Sequence, residues 1–174
     1  MKDMMLLVEP MIPALRRYAR SLLRDRSAAD DLLQDCLERA ITRWHQRRND
    51  GDARTWLFTI LHNLAISRLR QLARRGHHVG LDQADEDVTA RPATQEDGLR
   101  HREVLRALET LPEEQRSVLL LVTVEDLSYA EAAQVLDIPV GTVMSRLSRA
   151  REKLSRALSE ASAPTQRPTL RRVK

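Results

Sequence analysis

Apolar residues fall at helical intervals along most of the chain. Leu15, Ala19, Leu22 and Leu23 form one stripe, which predicts a helix from about Val8 to Leu23 with Pro10 and Pro13 confined to its first turns. Leu33, Leu37, Ala40, Ile41 and Trp44 form a second, with Ser27 as the expected N-cap and Asp30 three residues on in a capping-box-like position. The loop "QRRNDGD" carries a strong Asn-Asp-Gly turn signal. A third helix, capped by Asp52, then buries Trp56, Leu57, Ile60, Leu61, Leu64, Leu69 and Leu72. After an interruption the periodicity returns in "HREVLRALETL", which Pro112 stops. It continues in "EEQRSVLLLVTVED", where Val118, Leu119, Leu121 and Val122 are expected inside, in "SYAEAAQVL", and in "IPVGTVMSRLSRAREKL".

The interruption itself is informative. "GHHVGLDQADEDVTARPATQEDG" holds six carboxylates against one arginine and few large apolar residues, the composition of a flexible acidic linker. His77 and His78 within it lack further ligands and read as exposed loop residues. The expected plan is all-α. Residues 1–75 form a three-helix-type bundle, 76–99 a linker and 100–158 a second helical domain, followed by a basic, disordered tail over 159–174. Composition agrees: 174 residues with only five glycines and 3% aromatics disfavour a sheet-rich fold.

Charge and cysteine content narrow the chemistry. A net charge of +4 admits a polyanionic partner without requiring one. Cys36, the single cysteine, has Leu33, Leu37 and Ala40 as helix-face neighbours and reads as a small buried hydrophobe. No apolar run reaches the roughly 18 residues that argue a membrane span. The opening "MKDMMLLVEPMIP" makes a poor signal peptide, so membrane insertion is not expected and the cytoplasm is. No P-loop, metal-ligand cluster or nucleophile–base pairing stands out, so neither catalysis nor a cofactor is expected.

The last two helices have the spacing of a DNA-reading helix-turn-helix. Ala133 is small enough for the helix crossing, Asp137 stands at the turn, and Val143 is the buried aliphatic of the second helix. Asp is a departure there, since glycine adopts a left-handed backbone more readily. Ser128 and Glu131 make a capping box for the first helix. Along the second, Val143, Leu147, Ala150 and Leu154 share an inward face. Ser145, Ser148, Arg149 and Glu152 face away, flanked by Met144, Arg146, Arg151 and Lys153. Hydroxyls and arginines suit base edges and phosphates. A solvated face of a helical bundle would carry a similar pattern.

Taken as an ordered series, these segments resemble an extracytoplasmic-function (group 4) sigma factor of bacterial RNA polymerase, of the sigma-70 family. "RSAADDLLQDCLERAITRW" is similar to region 2.2, "DARTWLFTILHNLAISRLRQLARR" to regions 2.3 and 2.4, and the stretch from "LETLPEEQ" to "SRAREKL" to region 4. The likeness covers roughly residues 10 to 158. It implies that the first domain is region 2 and the second region 4. It also implies that Asp30, Asp31, Gln34, Asp35 and Glu38 dock on the β′ clamp helices of core RNA polymerase, with region 4 near the β flap.

Asn63, Arg68, Arg70, Arg74 and Arg75 would serve the −10 promoter element, where an unpaired base and its strand are held. Thr142, Met144, Ser145, Arg146, Ser148, Arg149 and Arg151 would read the −35 element. Relatives commonly have Arg or Lys where Met144 stands, Arg in place of His62 and Asp in place of Ser67. Trp56 matches a family tryptophan whose register here favours core packing. The family further implies a cognate anti-sigma factor as partner. Promoter elements somewhat under two helical turns apart are separated by about 50–60 Å. A relaxed linker of this length averages about 25–30 Å, and an extended one reaches ~80 Å. Two other readings remain: a sigma-like decoy that binds an anti-sigma factor, and an autonomous dimeric helix-turn-helix regulator.

Overall fold

The computed structural model describes residues 2–23, 25–47, 52–74 and 95–161. All regular structure among them is helical. The helices are α1 (Lys2–Val8), α2 (Ile12–Leu23), α3 (Arg26–Arg43), α4 (Ala53–Arg74), α5 (Gln95–Glu109), α6 (Glu113–Thr123), α7 (Tyr129–Leu136) and α8 (Val140–Ala161). Short 3-10 turns at Glu9–Met11 and Trp44–Gln46 follow α1 and α3.

Several boundaries differ from expectation, each for a local reason. The first helical segment starts before Val8: Met4 and Val8, one turn apart, are buried at 5% and 7% exposure and hold α1 down. Pro10 sits in the 3-10 turn, where its missing N–H costs nothing. Asp25, not Ser27, caps α3, its carboxylate accepting the Ala28 N–H at 3.2 Å. Ile41 lies outward at 54% exposure, because in the last turn of α3 it is its neighbour Ala40, at 1%, that faces the core. Helix α5 begins at Gln95 rather than 100, and α8 runs to Ala161 rather than stopping at 158. His77 and His78 lie outside the described residues.

Helices α2, α3 and α4 pack mutually around Leu15, Tyr18, Leu22, Leu32, Leu57, Phe58 and Leu61, all essentially without solvent contact. Tyr18 meets Phe58 edge to face at 5.5 Å and 72°, an arrangement that aligns ring edge with ring face. Cys36 is fully buried, its Sγ–H directed at the Leu57 carbonyl at 3.7 Å, and burial pushes the thiol up to about 12. Trp56 is half-buried against Trp44 at 5.9 Å, joining the end of α3 to the start of α4. Asp52 caps α4 as expected, accepting the Arg54 and Thr55 N–H groups at 3.2 and 3.1 Å.

The second set, α5 to α8, packs around Val118, Leu121, Val135, Val143 and Ala150. The two sets do not stand apart. Helix α6 lies on α2 and α7 on α4, and their buried apolar residues merge into one cluster.

Candidate promoter and polymerase interfaces

The turn between α7 and α8 is built by backbone chemistry that the sequence encodes locally. Ser128 accepts the Glu131 N–H at 3.2 Å while Glu131 accepts the Ser128 N–H at 2.7 Å, a complete capping box. Asp137 takes the left-handed conformation (φ 52, ψ 49). That conformation lets the Ile138 N–H reach the Ala133 carbonyl at 3.1 Å and the Asp137 N–H reach Gln134 at 3.4 Å. These two bonds satisfy carbonyls that the helix end would leave open. Pro139 then starts α8, its carbonyl accepting from Thr142 at 2.9 Å and Val143 at 3.2 Å.

The helix so delivered is two-faced. Val143, Leu147 and Ala150 are buried and Leu154 partly so, as the periodicity predicts. Met144, Ser145, Ser148, Arg149 and Arg151 are exposed, and Thr142 is half-buried. Arg146 departs from this set: its guanidinium bonds Glu114 of α6 at 2.8 Å and is only 25% exposed. It braces the recognition helix against α6 as it stands. The outward strip left by the others runs over more than two turns and carries hydroxyls and cations.

On α3, the side chains of Asp30, Asp31, Gln34, Asp35 and Glu38 are all exposed and share the polar side of the helix. Asp30 is partly engaged by α2, through Arg16 at 3.3 Å and Arg20 at 3.2 Å. Gln34 donates to Glu38 at 3.1 Å. Asp31 meets Arg68 of α4 at 3.7 Å, and Arg68 also donates to the Ala28 carbonyl at 3.3 Å. One member of the expected −10 set therefore already touches the expected polymerase surface. Asn63, Arg70 and Arg74 are exposed on α4, whereas Arg75 lies outside the described residues.

His62, beside Asn63 in sequence, turns inward. Its Nδ1 shares a 3.0 Å hydrogen bond with the Tyr18 hydroxyl, and burial, with the positive charge of Arg70, lowers its pKa to about 4. A neutral ring suits this buried place beside Tyr18. The cluster of Arg17, Arg54 and Glu125 was not legible in the sequence. Glu125 is 1% exposed and receives both the Nε and Nη2 hydrogens of Arg17, at 2.8 and 2.6 Å. Arg54 donates to the Glu125 carbonyl. Partners 108 and 71 residues apart leave no local signal.

An acidic helix face, a basic helix end and a helix-turn-helix define a chain of sigma-70 type. Residues 8–62 match the family described as the sigma2 domain of PhyR, and residues 101–154 match sigma-70 region 4. The ECF RNA polymerase sigma factor EcfG of Rhodopseudomonas palustris is 37% identical over 84% of this chain and 80% of its own length. SigM of Mycobacterium tuberculosis, also an ECF sigma factor, is 35% identical over 83% of this chain and 71% of its own. The sigma factor RpoE of Bartonella quintana, solved with the anti-sigma factor NepR, superposes with a TM-score of 0.76 at 33% identity. That match covers 91% of this chain and 98% of that one. The chain belongs to the extracytoplasmic-function RNA polymerase sigma factors.

Proposed function

We propose that this sigma factor binds core RNA polymerase through the acidic face of α3 and directs it to promoters with a −35 and a −10 element. The observation that carries the reading is the two-faced α8. Its inner stripe anchors the helix, and its outer strip of Ser145, Ser148, Arg149 and Arg151 is exposed among the described residues. Arginine can bond guanine bidentately, and serine can bond bases or phosphates. Exposed Asp31, Asp35 and Glu38 offer carboxylates to a basic helical partner such as the β′ clamp helices. Asn63, Arg70 and Arg74 would hold the opened −10 strand, with neutral His62 behind them fixing the helix. Polymerase and promoter binding place the chain's work in the cytoplasm.

Co-elution with purified core polymerase tests the first half. The wild-type chain is expected to co-elute, and Asp31→Arg with Asp35→Arg to elute alone while keeping its helical spectrum. Unimpaired co-elution of that variant would move the docking site elsewhere.

A second reading is favoured by one observation, the match of residues 8–62 to the sigma2 domain of PhyR. On that reading the chain is a decoy that captures an anti-sigma factor. Capture of an anti-sigma factor by a chain that never supports transcription would favour the decoy. The build of the helix-turn-helix, with its capping box and exposed outer strip, favours the promoter reading.

A further inference from the structure

The contact between the two helical sets is held by a charged pair rather than by apolar packing alone, and its position bears on promoter engagement. Glu125 lies in the short loop between α6 and α7, a loop fixed by the left-handed Asp126 (φ 51) and by the Leu127 N–H bonded to the Leu121 carbonyl at 3.0 Å. The carboxylate is 1% exposed, and both its oxygens are taken by the fork of Arg17 on α2, itself 52% exposed. Arg54 on α4 clasps the backbone carbonyl of the same residue. All three contacts cross from one helical set to the other.

Burying the Glu125 carboxylate costs desolvation that offsets much of its attraction to the half-exposed Arg17, so the pair is poor glue. It is directional, however, and both partners regain water when the interface parts. Such a pair specifies one docking geometry and keeps it reversible.

That geometry places the two DNA-facing regions close together. Helix α7 packs directly on α4, which carries Asn63, Arg70 and Arg74, and the recognition helix α8 packs on α7 and on α6. Glu114 of α6 holds Arg146 of the recognition helix at 2.8 Å. Packed helices stand about 8–10 Å apart between axes, so α8 lies roughly 20 Å from α4. Promoter elements about 50–60 Å apart cannot be met from that arrangement. The connection from Arg74 to Gln95 could span about 70 Å if extended.

We infer that this sigma factor closes on itself without any partner, with the Glu125–Arg17 pair and the Arg54 clasp as the latch, and that the latch must open before both promoter elements are engaged. The inference rests on the promoter reading above and adds the regulation of the same surfaces.

The test uses the full-length chain carrying Thr42→Cys and Ser159→Cys, spin-labelled at those exposed sites while buried Cys36 stays unlabelled. Pulsed dipolar spectroscopy is expected to give a narrow distance distribution for the otherwise wild-type chain. Glu125→Gln, near-isosteric with the native residue, and Arg17→Glu should each broaden it toward longer distances. They should also tighten core-free binding to a promoter duplex by at least about tenfold. A broad distribution in the wild-type chain, or a narrow one in Glu125→Gln with intact helicity, overturns the latch. Should Glu125→Gln lose its helical signal, Arg17→Ala, at a half-exposed site, replaces it: a distribution that broadens supports the latch, and one that stays narrow overturns it.

Transcription by core polymerase plus the wild-type chain judges the promoter reading separately. Transcripts with an unresponsive distance refute only the latch. A responsive distance without transcripts refutes the promoter reading and leaves self-closure as a property of the fold.

Discussion

His62 gives the sharpest physical test of how region 2 is built. The ring is 9% exposed, bonded to the Tyr18 hydroxyl at 3.0 Å, and its pKa falls from 6.5 to about 4, first from burial and then from the charge of Arg70. The folded state therefore disfavours the protonated ring, while the unfolded chain takes up a proton near 6.5. For a group whose folded pKa is lowered, the stability contribution is complete above the unfolded value and is lost as pH falls toward the folded one. The gap corresponds to about 3 kcal/mol, lost between pH 6.5 and about 4. Urea unfolding from pH 8 to pH 4, compared between wild type and His62→Gln, isolates this contribution, since glutamine keeps a hydrogen-bonding partner for Tyr18 without titrating. The difference in unfolding free energy should be flat above pH 7 and move against the wild type by about 3 kcal/mol at the acid end. A difference that stays constant across the range, or a His62 ring that titrates near 6.5 by NMR, refutes the burial argument.

Other outcomes follow from particular contacts. Leu147→Ala, at a 3% exposed site, should cost about 2–5 kcal/mol in thermal or urea unfolding and take DNA binding with it. Arg149→Ala should leave stability within about 0.5 kcal/mol yet weaken promoter binding, lowering the salt slope by about 1 if the contact is to phosphate. Asp137→Gly should raise stability by about 0.5–1 kcal/mol, because glycine takes the left-handed turn (φ 52) without the side-chain penalty; a fall in Tm would show that the aspartate side chain has a role of its own. Cys36 should resist iodoacetamide in the native protein and react on unfolding, since its thiol is buried and pushed up to about 12.

Local chemistry was legible in the sequence and distant chemistry was not. The capping box of Ser128 and Glu131, the left-handed Asp137, the Asp52 cap and the inner stripe of α8 each depend on residues within a few positions, so spacing alone exposes them. Ser27 and Asp25 stand two positions apart and both can cap a helix, so the choice fell to backbone geometry that spacing does not encode. Arg146 looks outward on a helical wheel, and only the position of Glu114 on another helix turns it inward. Tyr18 and Phe58, the largest of the fully buried side chains, lay outside the stripe and face used to place their helices. The Arg17–Glu125 pair is the extreme case, because nothing near either residue announces the other.

On the proposed function, this chain gives core polymerase its promoter choice through α8 and α4. Transcription by purified bacterial core polymerase on a library of random upstream sequences, with start sites mapped by sequencing, tests it most directly. Transcripts are expected to depend on the added chain and to share two upstream motifs at fixed spacing, with Ser148→Ala and Arg149→Ala altering only the distal motif. Transcripts indifferent to the chain, or a distal motif unmoved by those substitutions, would contradict it.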